Sequence, residues 1–566
     1  MSSHNSYAVR FSLYSAGLCC LVCLLGAFLP SVAQYSAATP GAIGIFNVRA
    51  IHAVSLNPEI LKRTEEGNVI TEEVRFTSVP GVRVFGYFSY PKGAKKLPTT
   101  LVVRYTGAEM RNADAKIGFV GFSVSAPSGN QNTTIQDSIG GVPLAQDFVD
   151  DPTQSWVYHH TVALTRALDY LETRPEVDMK RVLVMGYSWG GYITALLHAI
   201  DNRPCAYVVW HGSGYYADEQ GISGDRPSLL QSRKYYDMYS PSAYAKYGSQ
   251  PIMLASSLTD YFATLDGLIE MFTKLTSPKL LSVAPNRYHA ATGRNEFRGT
   301  SMWGFHWQGG GPPAPKVAEG SVAVRDGHLI YSFHVNTLQP TQYVEVLYSY
   351  GKPGHWTGRT WHRDKAKKVG LQYECEIPVY NPDVPLYAVA QIEVADYGGV
   401  ANTPQFIDPR KLGLTQASAT YPKSLMDFED KDTFDLYIAN GTPTQVPNGP
   451  QGKFAASIVP FHDGTIQFLG LEPFLWDHPT ELHMFLKGDG KPGPLDVYLA
   501  YDTSYWLDHQ RKNYAKITLV NAEETFSAEW KEYVIPLDVV DNLEKIDSMF
   551  FDMGTRTLLI DDIRWK

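Results

Sequence analysis

The sequence predicts an α/β region followed by two all-β regions, and three observations carry that prediction. Strand and helix signals alternate up to about residue 300. A Gly/Pro-rich stretch, Gln308-Gly-Gly-Gly-Pro-Pro-Ala-Pro315, then has the composition of a linker. Beyond it helical spacing fades, and short aromatic or β-branched runs stand between Gly, Pro, Asn and Asp turns.

In chain order, Leu101-Val102-Val103-Arg104-Tyr105 is a short apolar run closed by a turn at Gly107, the pattern of a buried strand. Leu164, Ala167, Leu168 and Leu171 keep the i, i+3, i+4, i+7 spacing of a helix that Pro175 closes. Residues 181–185 predict a strand, 192–200 a helix, and 206–210 and 252–255 two further strands. Leu265, Leu268, Ile269 and Phe272 return to helical spacing, and 280–284 is a last strand. Strands alternating with helices imply a mainly parallel sheet with helices on both faces. The domains expected are an α/β region at 34–307, a linker at 308–316, a small β-sandwich at 317–405 and a larger one at 420–566.

Length alone calls for more than one core, since the chain has 566 residues. Hydrophobic residues make up 44% and charged residues 19%, which excludes a disordered chain. The formal net charge is −9 and no basic stripe is present, so nucleic acid is not expected as a partner. At the N-terminus Arg10 precedes an apolar run over 13–29, and Ser31-Val32-Ala33 places small residues where a signal peptidase reads. This predicts a signal peptide over 1–33 and a secreted or periplasmic product without stable membrane insertion. Cys19, Cys20 and Cys23 leave with that segment. Only Cys205 and Cys375 remain, too few for a disulfide framework or a cysteine metal site.

Gly186-Tyr187-Ser188-Trp189-Gly190 is a G-x-S-x-G motif between a predicted strand and a predicted helix. A turn that sharp needs small flanking residues, and it lifts the serine hydroxyl clear of the sheet. It also sets Ser188 at a helix N-terminus, where backbone N–H groups can stabilise an oxyanion. A serine nucleophile needs a base, and the base needs an orienting carboxylate. Asp260 lies just past the strand over 252–255, while its rival Asp266 sits where a helix begins. His289 follows the strand over 280–284; His159, His160, His198 and His211 all precede the acid and are poorer bases. The oxyanion donors expected are the N–H of Trp189 and that of Gly107 or Ala108, after the first strand. Tyr187, Tyr215 and Tyr216 are expected at the substrate, the last two within a Tyr-rich insertion between Gly212 and Gln250 that can overhang the nucleophile.

Residues 175–192, PEVDMKRVLVMGYSWGGY, together with SLTDYFATLDGL at 257–268 and Pro285-Asn286…His289, resemble the acetyl xylan esterase and dienelactone hydrolase-like branch of the α/β-hydrolases. The resemblance covers about residues 70–300 and implies an α/β-hydrolase fold with Ser188 as nucleophile, His289 as base and Asp260 as acid. The nucleophile segment also resembles prolyl oligopeptidase-type peptidases, but no room precedes residue 70 for their large N-terminal domain. Leu425-Met-Asp-Phe428-Glu429-Asp430 and Leu559-Ile-Asp561-Asp562 resemble the first and last strands of jelly-roll carbohydrate-binding modules. That likeness implies a structural Ca²⁺ on Glu429 and Asp561, with Trp476, Tyr498, Tyr505 and Trp506 as a sugar-stacking face. The sequence therefore predicts a secreted serine esterase with no catalytic cofactor, most simply one that deacetylates a polysaccharide such as xylan. A peptidase or another carboxylic ester hydrolase is the alternative, and a glycan-binding protein with a vestigial hydrolase region the alternative of another class.

Overall fold

The central sheet grows from apolar runs in the first half of the chain, and its strand ends position the site. The computed structural model describes residues 41–566, apart from 106, 127–150, 214–232, 261, 290–298, 355, 357–358, 395–397, 440, 461–464, 470, 472–473, 502–513, 539, 553 and 555. The expected signal segment 1–33, Tyr215, Tyr216, Tyr505 and Trp506 lie outside the described residues. No described helix is long and apolar enough to cross a membrane.

Nine strands of the first half are β1 (Glu59–Glu66), β2 (Val69–Val79), β3 (Val82–Pro91), β4 (Leu97–Val103), β5 (Val120–Val124), β6 (Val177–Tyr187), β7 (Ala206–Trp210), β8 (Ile252–Ser257) and β9 (Lys279–Ala284). Their order across the sheet is β1-β2-β3-β5-β4-β6-β7-β8-β9. The pairs from β1 to β5 are antiparallel, and those from β5 through β9 are parallel. The parallel strands are buried on both faces, as their continuous Val, Ile, Leu and Ala runs require.

Helices α1 (Val48–Ala53), α2 (Asn112–Lys116), α3 (Trp156–Glu172) and α4 (Trp189–Ile200) belong to the same half, as does helix Leu265–Lys274. Helix α3 starts where the Ser155 hydroxyl accepts from the Tyr158 N–H at 3.1 Å, a serine N-cap. Helix α4 is buried nearly all round, as its low polarity demands.

The second half departs from the sequence expectation in one respect. Strands between 321 and 407 contribute to three sheets, a small two-stranded one at Val335–Asn336 among them, and one of the three is continuous with the central sheet. Strand Gly398–Ala401 pairs antiparallel with β9 through Ala401 and Leu281. Leu386–Val394, Thr341–Tyr350 and His362–Lys365 follow it outward. A four-stranded sheet of Ser321–Arg325, His328–Phe333, Gln372–Ile377 and Lys367–Val369 completes this region. The stretch expected as a linker is tied down at its start: the Gln308 amide donates to the carbonyls of Thr99 at 3.0 Å and Arg181 at 3.3 Å.

From Ser424 onward a six-stranded and a five-stranded antiparallel sheet enclose one core, including Leu425, Phe468, Leu482, Met549 and Ile560. Residues 39–566 make up one compact unit. Trp476, expected on a sugar-binding face, instead packs against Tyr350 and Tyr421. Tyr498 is buried, with Tyr514 edge-on to its ring.

Candidate active site

Ser188 stands between β6 and α4 with φ 59° and ψ −126°, left-handed backbone that a serine avoids. Such strain costs roughly 1–3 kcal/mol and persists only where surroundings fix it. Here three glycines and the two flanking strands do the fixing. A Cβ on Gly186 would lie 2.2 Å from the Gly190 carbonyl oxygen, and one on Gly190 would lie 2.2 Å from that of Val103. A Cβ on Gly191 would lie 2.4 Å from the Trp210 oxygen. The chain passes so close at three points that only glycine fits. The Ser188 N–H donates to the Trp210 carbonyl at 2.9 Å, which ties the elbow to the end of β7.

The three residues expected to act together are brought together. The Ser188 hydroxyl donates to His289 Nε2 at 2.6 Å. His289 Nδ1 donates to Asp260 Oδ1 at 3.0 Å and Oδ2 at 3.1 Å. Asp260 is fully buried just past β8, and its Oδ1 also accepts from the Phe262 N–H at 2.7 Å and the Ala263 N–H at 3.0 Å. Burial pushes the Asp260 carboxyl up, but the charges of His289 and His211 and their hydrogen bonds overcome it and hold it well below the usual carboxylate range.

His211 is the residue that sequence reasoning missed. It is buried one position past β7, with φ 50°, and its Nδ1 donates to Asp260 Oδ2. Burial lowers its pKa against the pull of Asp260. Asp260 is thus shared by two imidazoles. The legible signal was position: a histidine at the C-terminal end of a parallel strand beside the elbow. Asp266, the rival acid, lies in the first turn of helix Leu265–Lys274 and accepts from Trp356 Nε1 at 2.7 Å, which removes it from the site.

The remaining predicted residues fall as follows. Trp189 opens α4, and its ring meets Trp156 and Phe262. Gly107 and Ala108 are half-buried, in the loop after β4. Tyr105, in that same loop, sets its ring edge-on against Trp156. The Tyr187 hydroxyl donates to the backbone carbonyl of His289, and the Tyr187 ring lies against those of His211 and His289.

Glu429 and Asp561 converge on one turn of the C-terminal region. Glu429 Oε1 accepts from the N–H groups of Lys453 at 2.6 Å and Phe454 at 2.8 Å, and Asp561 Oδ2 accepts from that of Gln451 at 3.1 Å. Asp561 is buried and its Oδ1 has no hydrogen-bond partner. Burial first, then the charges of Glu429 and Asp427, push its carboxyl up to about 7. An orphaned buried carboxylate oxygen beside other carboxylates fits a hard cation. Among the described residues, the group of three or more metal-ligating side chains whose ligand atoms gather within 4.8 Å is instead His211, Asp260 and His289, whose atoms already bond to one another.

Residues 86–295 match the model of the Dienelactone hydrolase family. Over 243 residues the chain is 24% identical to acetyl esterase Axe7A of Xylanibacter ruminicola, covering 38% of this chain and 54% of that protein. The chain thus spans about half the length of that curated relative. Among solved structures, acetyl xylan esterase from Paenibacillus sp. R4 aligns at 18% identity over 46% of this chain and 91% of its own, with a TM-score of 0.39. Acetyl xylan esterase 1 from Thermoanaerobacterium sp. JW/SL YS485 aligns at 18% identity over 46% and 90%, with a TM-score of 0.38. The segment matched by the family model holds Ser188, Asp260 and His289.

Proposed function

We propose that this chain is a secreted serine esterase that removes acetyl groups from a polysaccharide such as xylan. One observation carries the catalytic part: the unbroken hydrogen-bond chain from the Ser188 hydroxyl through His289 to the buried Asp260. The Ser188 oxygen attacks the ester carbonyl while His289 Nε2 takes its proton. Asp260, held ionised, keeps His289 in the tautomer whose Nε2 is free to accept and stabilises the imidazolium. The N–H of Trp189, at the start of α4, and that of Gly107 or Ala108 receive the oxyanion. The tetrahedral intermediate collapses as His289 returns the proton to the leaving alcohol. Water, deprotonated by His289, then attacks the acyl-enzyme and releases the acid and free Ser188.

The acetyl group rests on the name of the curated relative and on the sequence resemblance. Secretion rests on the signal-like N-terminus, and a carbohydrate substrate on the jelly-roll likeness of the C-terminal region. Glu429 and Asp561 are the residues that would hold a structural Ca²⁺ there, neutralising a carboxyl otherwise pushed up by burial. Added Ca²⁺ then raises the melting temperature and a chelator lowers it; no change with either would remove the ion.

Acetate release from acetylated xylan and from a small aryl acetate tests the function. Both substrates turn over with wild type, and Ser188→Ala loses about a thousandfold or more in rate while remaining folded. Turnover of the aryl ester alone would take acetylated xylan out of the reading, and wild-type rates in Ser188→Ala would remove the mechanism.

A further inference from the structure

The segment that carries His289 is built unlike the one that carries Ser188. Residues 285–289 contain two non-glycine residues with positive φ, Asn286 at 51° and Tyr288 at 48°. Asparagine tolerates that conformation, whereas a bulky tyrosine adopts it only under constraint. The glycine crowding that fixes the elbow is missing here, so the constraint has to come from neighbouring chain.

Part of it comes from the acid loop. The Arg287 N–H donates to the Ser257 hydroxyl and the Tyr288 N–H to that of Thr259, each at 3.1 Å. The rest arrives from sequence positions 75 to 151 residues away. The Asn286 side chain is fully buried: its Nδ2 donates to the carbonyls of Trp361 at 2.8 Å and Leu436 at 3.0 Å, and its Oδ1 accepts from the Trp361 N–H at 2.8 Å. Arg287 is buried too. Its Nη2 pairs with Asp435 Oδ2 at 2.6 Å, and its Nη1 donates to the carbonyls of Asp435 at 3.1 Å and Ile438 at 2.9 Å. Residues 435–438 lead into strand Ile438–Ala439 of the C-terminal five-stranded sheet.

We propose that the C-terminal β-sandwich is a positioning element of the hydrolase: through Asp435 and the carbonyls of Leu436 and Ile438 it holds Asn286 and Arg287, and so sets His289 against Ser188. This rests on the esterase reading above. Arg287 and Asp435 are positioning residues that touch neither the hydroxyl nor the ester. Breaking the pair from the Asp435 side leaves the buried Arg287 guanidinium uncompensated, which is costly, so Asp435 reaches the base loop without touching His289. An appended glycan-binding module would raise affinity for polymer and leave a small soluble ester unaffected. A positioning element lowers turnover of any ester.

The experiment uses the full-length chain and p-nitrophenyl acetate, too small to engage a glycan surface. Wild type, Ser188→Ala, Asp435→Asn, Asp435→Glu and Arg287→Met are compared for kcat, KM and hydrogen exchange of the peptide covering 280–290. Asp435→Asn lowers kcat about tenfold or more with KM within about threefold, because the base is displaced while substrate binding is kept. Exchange across 285–289 rises in the same variant, and Asp435→Glu, which keeps the charge, recovers part of both. Asp435→Asn preserves shape, so it carries the test if Arg287→Met does not fold. Wild-type kcat in folded Asp435→Asn, in an enzyme whose turnover needs Ser188, overturns the inference alone. A wild type without Ser188-dependent turnover overturns the esterase reading, and the inference with it.

Discussion

The elbow at 186–191 and the base loop at 285–289 meet across one hydrogen bond, yet they are held in opposite ways. The elbow's constraint is written into its own glycines: Gly186, Gly190 and Gly191 let backbone of the turn itself, of β4 and of β7 pass where any side chain would collide. The base loop is fixed by residues from two β regions distant in sequence, through Trp361, Asp435, Leu436 and Ile438. A locally determined element announces itself as a short motif. A remotely determined one leaves only a histidine in a loop.

The most severe way to break the contrast is Gly190→Ala. Its Cβ would sit 2.2 Å from the Val103 oxygen, a backbone atom that cannot rotate away. The variant is expected to lose the folded hydrolase region altogether, read by soluble yield and thermal melting.

Acid probes both sides at once. His160 lies behind the elbow, its ring against Trp156, and burial lowers its pKa to about 3. His362 follows Trp361 beside the base loop, its Nδ1 2.9 Å from the Tyr437 hydroxyl, and burial lowers its pKa to about 4. Both folded values lie below the unfolded value of about 6.5, so the unfolded chain binds more protons. Stability contributed by the neutral rings is therefore full above about pH 6.5 and is lost as pH falls toward 4, by on the order of 2 kcal/mol each at pH 5. The melting temperature should drop between pH 7 and pH 5, and a flat profile over that range would contradict the burial of both rings.

Milder effects follow at the shared carboxylate. His211→Phe removes one donor to Asp260 and is expected to lower kcat about ten- to a hundredfold with little change in KM. Tyr187→Phe removes the hydroxyl that donates to the His289 carbonyl, and a loss of only a few-fold in kcat is expected. Equal, large losses in both would mean that Tyr187 acts on substrate rather than on the loop.

The same contrast explains what the sequence disclosed. Strand and helix periodicity located β4, β6 to β9, α3 and α4, because apolar runs and i, i+3, i+4 spacing are local properties. Leu101 to Val103 and Val182 to Val184 are buried in β4 and β6, and Leu164, Ala167, Leu168 and Leu171 are buried along α3. Asp260 and His289 could be placed because each follows a strand end. Three features depended on pairing between distant segments and had no local signature. The continuation of the central sheet rests on a single pair, Ala401 with Leu281. His211 gained its role only when β7 and β8 lay side by side. Trp476 was read as a sugar platform from its type, yet its neighbours are Tyr350 and Tyr421.

The most direct test of the central claim is active-site labelling. A fluorophosphonate should modify one residue, Ser188, located by peptide mass spectrometry. Labelling should vanish in Ser188→Ala and slow by several orders of magnitude in His289→Ala. A protein that turns over esters while its label sits on another serine, or that labels at full rate without His289, would contradict the account.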